Sequence, residues 1–294
     1  MITEMCVQNK KRNGKKIANA VAVYAVLIIA LLVLLLPFYV LLTTSFKTFA
    51  EAEGAFTFWP KKFTVESYKF LLFKQSLGLS FSQSFLNTLI ISVPCTIVSV
   101  FVSTMAAFVF AKYHFVGRDI GFSLLLFTMM IPSSTTMMPQ YIIYSQIGWT
   151  GTRLPLMAPA IFGGAGCIFF MRQFISGIPT DLIEAARVDG MNKFKIFITI
   201  IFPLAVPALI SQGILTFISY YNDYFGPLIY CQSHDMFTLQ VILASFNSAS
   251  ESALGKNIPN IMAGSVISML PLVVIYIFTQ KFFVSGIAVS GLKG

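Results

Sequence analysis

The sequence predicts an all-α integral membrane protein with about six transmembrane helices. Three observations carry this. Charged residues are only 11% of the chain while 56% are hydrophobic, against about 25% charged in an average soluble domain. Mean hydropathy is +0.80. The apolar residues also fall in long unbroken runs rather than in alternation. In lipid every backbone polar group must be satisfied internally, so such runs read as helices and not as barrel strands.

Six runs stand out, at residues 17–43, 85–111, 120–146, 155–171, 194–221 and 260–283. The first follows Lys10, Lys11, Arg12, Lys15 and Lys16. A secretory signal would have a core of roughly 7–15 residues and a small-residue cleavage site. This run is longer and ends in Thr43-Thr44-Ser45-Phe46, so it is expected to stay as a first span. The fourth run is the shortest and contains Gly163, Gly164 and Gly166, which let helices approach closely where lipid gives no hydrophobic drive to associate. Prolines at 37, 94, 132, 139, 203, 207 and 271 predict kinks. The stretch Ile131-Pro132-Ser133-Ser134-Thr135-Thr136 predicts a bent segment facing polar space.

Charge sets the expected orientation. With the N-terminus inside, most Lys and Arg fall inside too, including Lys112, Arg118, Arg172, Arg187, Lys193 and Lys195. The bias places both termini in the cytoplasm. The expected organisation is therefore a basic tail at 1–16, a first span at 17–43, an extracytoplasmic loop at 44–84, a five-helix core at 85–283 and a cytoplasmic tail at 284–294. The net charge of +9 is read as topological, with lipid and not nucleic acid as the partner. Cys6, Cys95, Cys167 and Cys231 lack metal-type spacing, as do His114 and His234, so no metal site is expected. The near absence of charge at the span centres argues against a proton relay or an ion path. It fits a neutral, hydrogen-bonding solute.

The most informative region is the loop at 178–192. It reads as a short helix: Asp181 as cap with Glu184 reaching back in a capping box, Gly190 in the left-handed stop position, and Asn192 capping the next helix. Leu182, Ala185 and Ala186 are expected near one face, with acids at both ends. Membrane-surface helices favour basic polar faces. Asp181, Glu184 and Asp189 against Arg187 instead suggest docking into a groove on another protein.

Glu184-Ala185-Ala186, then Gly190, then Ile201-Phe202-Pro203-Leu204 resembles the EAA loop of bacterial binding-protein-dependent ABC importers. Phe85-Leu86-Asn87-Thr88, Ala106-Ala107-Phe108, Phe115-Val116-Gly117-Arg118, Phe170-Met171-Arg172-Gln173-Phe174, Thr238-Leu239-Gln240-Val241 and the terminal Gly291-Leu292-Lys293-Gly294 are similar to the carbohydrate-uptake branch, and within it to maltose permease G-like subunits. The resemblance implies a type I-like ABC importer permease in the bacterial cell membrane. It implies a second permease subunit, two ATPase subunits and an extracytoplasmic solute-binding protein as partners. It also implies a sugar or oligosaccharide as solute, with glycerol phosphate, a peptide or, in a different class, an ion-coupled carrier as alternatives. Asp181, Glu184, Ala185, Ala186, Asp189 and Gly190 then fall on the ATPase-coupling loop, and Lys293 near the same interface. Gly255-Lys256-Asn257 does not satisfy the phosphate-binding pattern G-x-x-x-x-G-K-[ST]. The chain is therefore expected to hold no cofactor, with ATP and Mg bound by the ATPase partners, and to be a transport subunit rather than an enzyme. Tyr221 stands where that group usually has Trp; either aromatic can stack on a sugar face or sit at the membrane interface, and the interface is the favoured expectation. Asn87, Ser133, Gln140 and Asn222, polar and in or beside spans, are the expected substrate-pathway residues.

Overall fold

The computed structural model describes residues 2–73, 80–248 and 258–291, with side chains described for 19–73, 80–246 and 258–280. Among the described residues four helical stretches are long and apolar enough to cross a membrane: Asn19–Ser45, Phe81–Lys112, Leu154–Ser176 and Ile258–Gln280. Two bent pairs bring the total to six if each is one span. The chain divides into two compact units, Met1–Phe70 with Asn257–Val266, and Leu71–Lys256 with Ile267–Gly294.

The first unit opens with α1 (Ile2–Ser45), which carries Pro37 inside it. Its apolar side chains are exposed all round, from Val21 to Leu36. A helix apolar on every side needs lipid or another span as its solvent. The following segment, expected only as a loop, is folded. A short helix α2 (Phe49–Glu53) is capped by Thr48, whose hydroxyl accepts from Glu51 N–H at 3.4 Å. The Glu51 carboxylate accepts from Lys61 N–H at 2.8 Å, Lys62 N–H at 3.4 Å and the Thr57 hydroxyl at 3.1 Å. Lys47 is buried, donating to Thr57 C=O at 2.5 Å with the Phe56 ring 5.3 Å away. Phe46 stacks on Phe63 at 4.5 Å, and Ser45 and Tyr68 hydroxyls meet at 2.7 Å just as α3 (Glu66–Phe73) begins.

The second unit is built around α4 (Phe81–Lys112). Its buried stripe of Ser84, Thr88, Ser92, Cys95, Ser99, Ser103 and Ala107 has near-helical spacing and small side chains. Such a stripe lets neighbouring backbones come close, which is how helices associate in lipid. The helix's threonines satisfy themselves on the preceding turn, Thr88 on Ser84 C=O at 2.9 Å and Thr104 on Val100 C=O at 2.6 Å.

From α4 the chain returns through α5 (Arg118–Met130) and α6 (Ser133–Gln146). The run expected as one span at 120–146 is broken by 98° at Ile131-Pro132, where Pro132 is extended (φ −60, ψ 132). Proline lacks the N–H the ladder needs and keeps the residue before it extended. Next come α7 (Leu154–Met157), a 3₁₀ turn at Ala158–Phe162 and α8 (Ala165–Ser176). Gly163 has φ +71, and a Cβ there would stand 2.6 Å from Ser103 Oγ. The same Oγ accepts from Gly164 N–H at 2.9 Å. Close approach is therefore the reason for glycine at this junction.

The short loop helix α9 (Asp181–Val188) leads into α10 (Lys193–Ile196), a π turn at Phe197–Ile201 and α11 (Phe202–Leu204). A bend of 81° separates this pair from the span that continues in α12 (Val206–Tyr221) and α13 (Phe225–Tyr230). Pro203 next to a π turn accounts for it, since both disturb the backbone ladder. The chain closes with a 3₁₀ turn at His234–Met236, α14 (Leu239–Ser248) and α15 (Ile258–Gly291).

Tyr221, expected at the membrane interface, is wholly buried, and its hydroxyl donates to Ser268 C=O at 2.9 Å. An interfacial side chain would be open on one side. This one pins α12 to α15.

Candidate functional site

Two ends of the core can be told apart by hydrogen bonds that bring distant parts of the chain together. At the first end Asn87, near the start of α4, is fully buried. Its amide donates to Asp235 C=O at 2.6 Å and Phe237 C=O at 3.0 Å, and its oxygen accepts from Arg153 Nη2 at 2.7 Å. Gly151 N–H donates to Tyr230 C=O at 2.9 Å, and Leu239 N–H to the Thr88 hydroxyl at 2.8 Å. Asn87, expected on the substrate pathway, thus has its hydrogen-bonding capacity used inside the chain in this structure.

The other expected pathway residues are exposed. Asn222 ends α12 and accepts from Gln240 Nε2 at 3.1 Å. Ser133 and Gln140 lie two turns apart on α6, which buries no residue. The Asn222–Gln240 pair was half visible in sequence, since Gln240 was singled out only as part of a motif.

At the opposite end sits α9. Eight residues are too few for an isolated helix to persist in water, so its stability comes from its seat and its stops. Ile183 and Ala186 are buried in a cluster with Ala107, Phe108, Met171, Ile175, Ile196 and Phe197. Burying Ile183 contributes about 1.5–3 kcal/mol. Ala186, expected on the docking face beside Leu182 and Ala185, is therefore part of the seat instead. The outward face carries Leu182 at 43% and Val188 at 88% exposure, with Asp181, Glu184, Ala185 and Asp189 exposed beside them.

The stops are partly those expected. Gly190 has φ +77, and its N–H donates to Arg187 C=O while Met191 N–H donates to Ala186 C=O, both at 3.0 Å. This is a Schellman ending. Asn192 then caps α10, its oxygen accepting from Lys195 N–H at 2.8 Å. The expected capping box does not form. Thr180, not Asp181, stands before the helix, and it makes no side-chain cap. Asp181 and Glu184 occupy the first turn instead, where negative charge favours the positive end of the helix dipole. Neither carboxylate has a hydrogen bond or ion pair among the described residues.

The end of α4 clasps this turn from both sides. Lys112 Nζ donates to Ile178 C=O at 2.5 Å and Ser176 C=O at 3.3 Å, closing the end of α8. The Tyr113 ring lies between two cations, Arg187 at 5.2 Å and Lys193 at 5.0 Å. Those residues flank Gly190, so one aromatic ring spans the turn. Sequence reading missed Tyr113. Its only local signal is an aromatic directly after Lys112 at the end of a span. Lys293, also expected near this end, lies outside the described residues.

Among the described residues no group of three His, Cys, Asp or Glu could hold a metal ion. The free Cys95, Cys167 and Cys231 are buried singly.

A family of binding-protein-dependent transport system inner membrane components matches residues 99–289 of this chain. The chain belongs to that family. It is thus a multi-pass membrane permease subunit of an ABC importer, and the α9 turn lies inside the matched region. The arabinooligosaccharides transport system permease protein AraQ of Bacillus subtilis (strain 168) is 35% identical over 239 residues, 80% of this chain and 81% of its own. The melibiose/raffinose/stachyose import permease protein MelC of the same organism is 32% identical over 265 residues, 88% of this chain and 91% of its own. A chain of a solved bacterial ABC transporter involved in the import of the acidic polysaccharide alginate superposes with a TM-score of 0.80 at 25% identity, covering 90% of this chain and 96% of that one. The permease therefore shares both sequence and architecture with subunits of this class.

Proposed function

We propose that this permease subunit translocates a sugar or oligosaccharide across a bacterial cell membrane, and that separate ATPase subunits drive it through α9. The single observation that carries the coupling role is the division of α9 into a buried seat, Ile183 and Ala186, and an exposed acidic-apolar face, Leu182, Glu184, Ala185 and Val188. A helix so firmly seated passes a push on its outer face to the core beneath it. The solute class is supported by the arabinooligosaccharide, melibiose/raffinose/stachyose and alginate systems to which the chain is similar.

On this reading α9 and both termini face the cytoplasm, and an extracytoplasmic binding protein delivers the solute at the opposite end. ATP and Mg are held by two ATPase partners, this chain having no ATPase site of its own. A second permease subunit completes the pathway, with Asn222, Gln240, Ser133 and Gln140 as polar groups available to hydroxyl-rich solute.

The test is Glu184→Lys in the assembled transporter, alongside Gly190→Val. Both variants are expected to insert and to lose uptake, with ATP hydrolysis no longer stimulated by loaded binding protein. Normal uptake in both would refute the coupling role. Uptake that survives loss of the ATPases but collapses with an ion gradient would favour a secondary carrier.

A further inference from the structure

The folded segment after α1 carries exposed aromatic side chains to which the proposed function assigns no role. Phe56, Phe58 and Trp59 are 62%, 64% and 69% exposed, although the backbone around them is tied down by Glu51, Lys47 and Thr57. Their exposure is therefore built in. Their depth is fixed by one hydrogen bond. Tyr39 Oη donates to Phe58 C=O at 2.9 Å. Tyr39 lies six residues before the end of α1 at Ser45, which is about 9 Å back along the helix axis. The segment thus leaves the span, turns through α2 and folds back beside the last two turns of the same membrane-crossing helix. Lys61 and Lys62 follow immediately and are exposed.

We propose that this fold-back is a lipid anchor: Phe56, Phe58 and Trp59 enter the headgroup–acyl boundary of the bilayer, and Lys61 and Lys62 meet phospholipid phosphates. Aromatic rings concentrate at that boundary because one part of the ring system is apolar and another tolerates water. Basic side chains beside them add attraction to anionic lipid. The patch adjoins the exposed apolar side of α1 through the Tyr39–Phe58 bond, near Leu35, Leu36 and Phe38, so lipid that reaches that helix extends onto it without a break. A protein partner would have to displace that lipid along a helix flank.

Site-specific incorporation of a benzophenone amino acid at position 59 tests this. The assembled transporter is placed in vesicles of phosphatidylethanolamine and phosphatidylglycerol carrying a labelled acyl chain. A phospholipid adduct is expected at position 59, well above that at exposed Glu53 on the same segment. Replacing Lys61 and Lys62 by Gln is expected to lower the adduct severalfold in phosphatidylglycerol-rich vesicles and little in vesicles without it. An adduct at 59 formed chiefly with the binding protein or another subunit would overturn the proposal. So would lipid labelling no higher at 59 than at 53, or labelling indifferent to the two lysines.

Discussion

Nothing lies within 4 Å of where a Cβ on Gly190 would stand, yet its φ is +77. Alanine there meets no clash and carries only the left-handed backbone cost, ~1–2 kcal/mol. Asparagine tolerates that region better, so Gly190→Asn is expected to melt closer to the parent than Gly190→Ala, as read by thermal unfolding of the purified transporter. Equal losses would mean that space, not backbone, decides this position. Glu51 offers a second test at the same scale. The Lys61 N–H first, helped by the Thr57 hydroxyl, the Lys62 N–H and nearby Lys47, holds its carboxyl below the usual value of 4.5. Its stabilising effect is therefore complete above the ordinary glutamate range and is lost as pH falls through the lowered folded value. Acidification is expected to loosen the fold-back and shift the emission of Trp59, one of only two tryptophans. Glu51→Gln should abolish that acid step, and an unchanged step in the variant would assign it elsewhere.

Between elements the discriminating residue is Tyr113, where one ring ties the end of α4 to both sides of the turn between α9 and α10. Each cation–ring contact is worth about 0.5–2 kcal/mol. The Tyr113 hydroxyl is buried without a hydrogen-bond partner among the described residues, so it contributes no bond there that phenylalanine would lose. Tyr113→Phe is expected to leave transport and trypsin cleavage at Arg187 as in the parent. Tyr113→Ala should open Arg187 to trypsin and weaken coupling of ATP hydrolysis to uptake; if Phe and Ala behave alike, the ring is not the tie. What could be read from the sequence at this scale was whatever depends on neighbours along the chain. Gly190, Asn192 and the break at Pro132 each act on backbone within a turn or so, and their residue types announce it. The surroundings of Asn87 and Tyr221 could not be read because their partners are remote. The carbonyls that Asn87 serves lie 148 and 150 residues away, and the one that Tyr221 serves lies 47 away. A buried clasp and a pathway residue look the same until the fold supplies those partners. Asp181 was misread for a different reason. Thr180 and Asp181 are both plausible starts, and the seat of Ile183 fixes which of them enters the helix.

Across the whole core, the two ends of α4 serve as landmarks for the path of the chain. Arg118 follows the α4 terminus that bears Lys112, and α8 returns to that terminus through Ser176. The segment between, at Gly151 and Arg153, is tied to Tyr230 and to Asn87 at the other terminus. The bent pair α5–α6 therefore runs from one end of α4 to the other, despite its 98° break, and is expected to be a crossing and not a loop dipping in and out of one face. Single cysteines decide the point. The native Cys95, Cys167 and Cys231 are buried, so with Cys6→Ser they leave a quiet background. Val116→Cys and Val188→Cys, at exposed positions beyond the Lys112 end, are expected to react with an impermeant maleimide from one side of oriented vesicles. Gln232→Cys and His234→Cys, exposed near Asn87, should react only from the other. Ile147→Cys, at 52% exposure just after α6, is the deciding position. A true crossing groups it with 232 and 234. Grouping with 116 would make α5–α6 re-entrant, and because every later element would then change sides, it would also move α9 to the face opposite Val116 and remove it from the reach of any partner docking there.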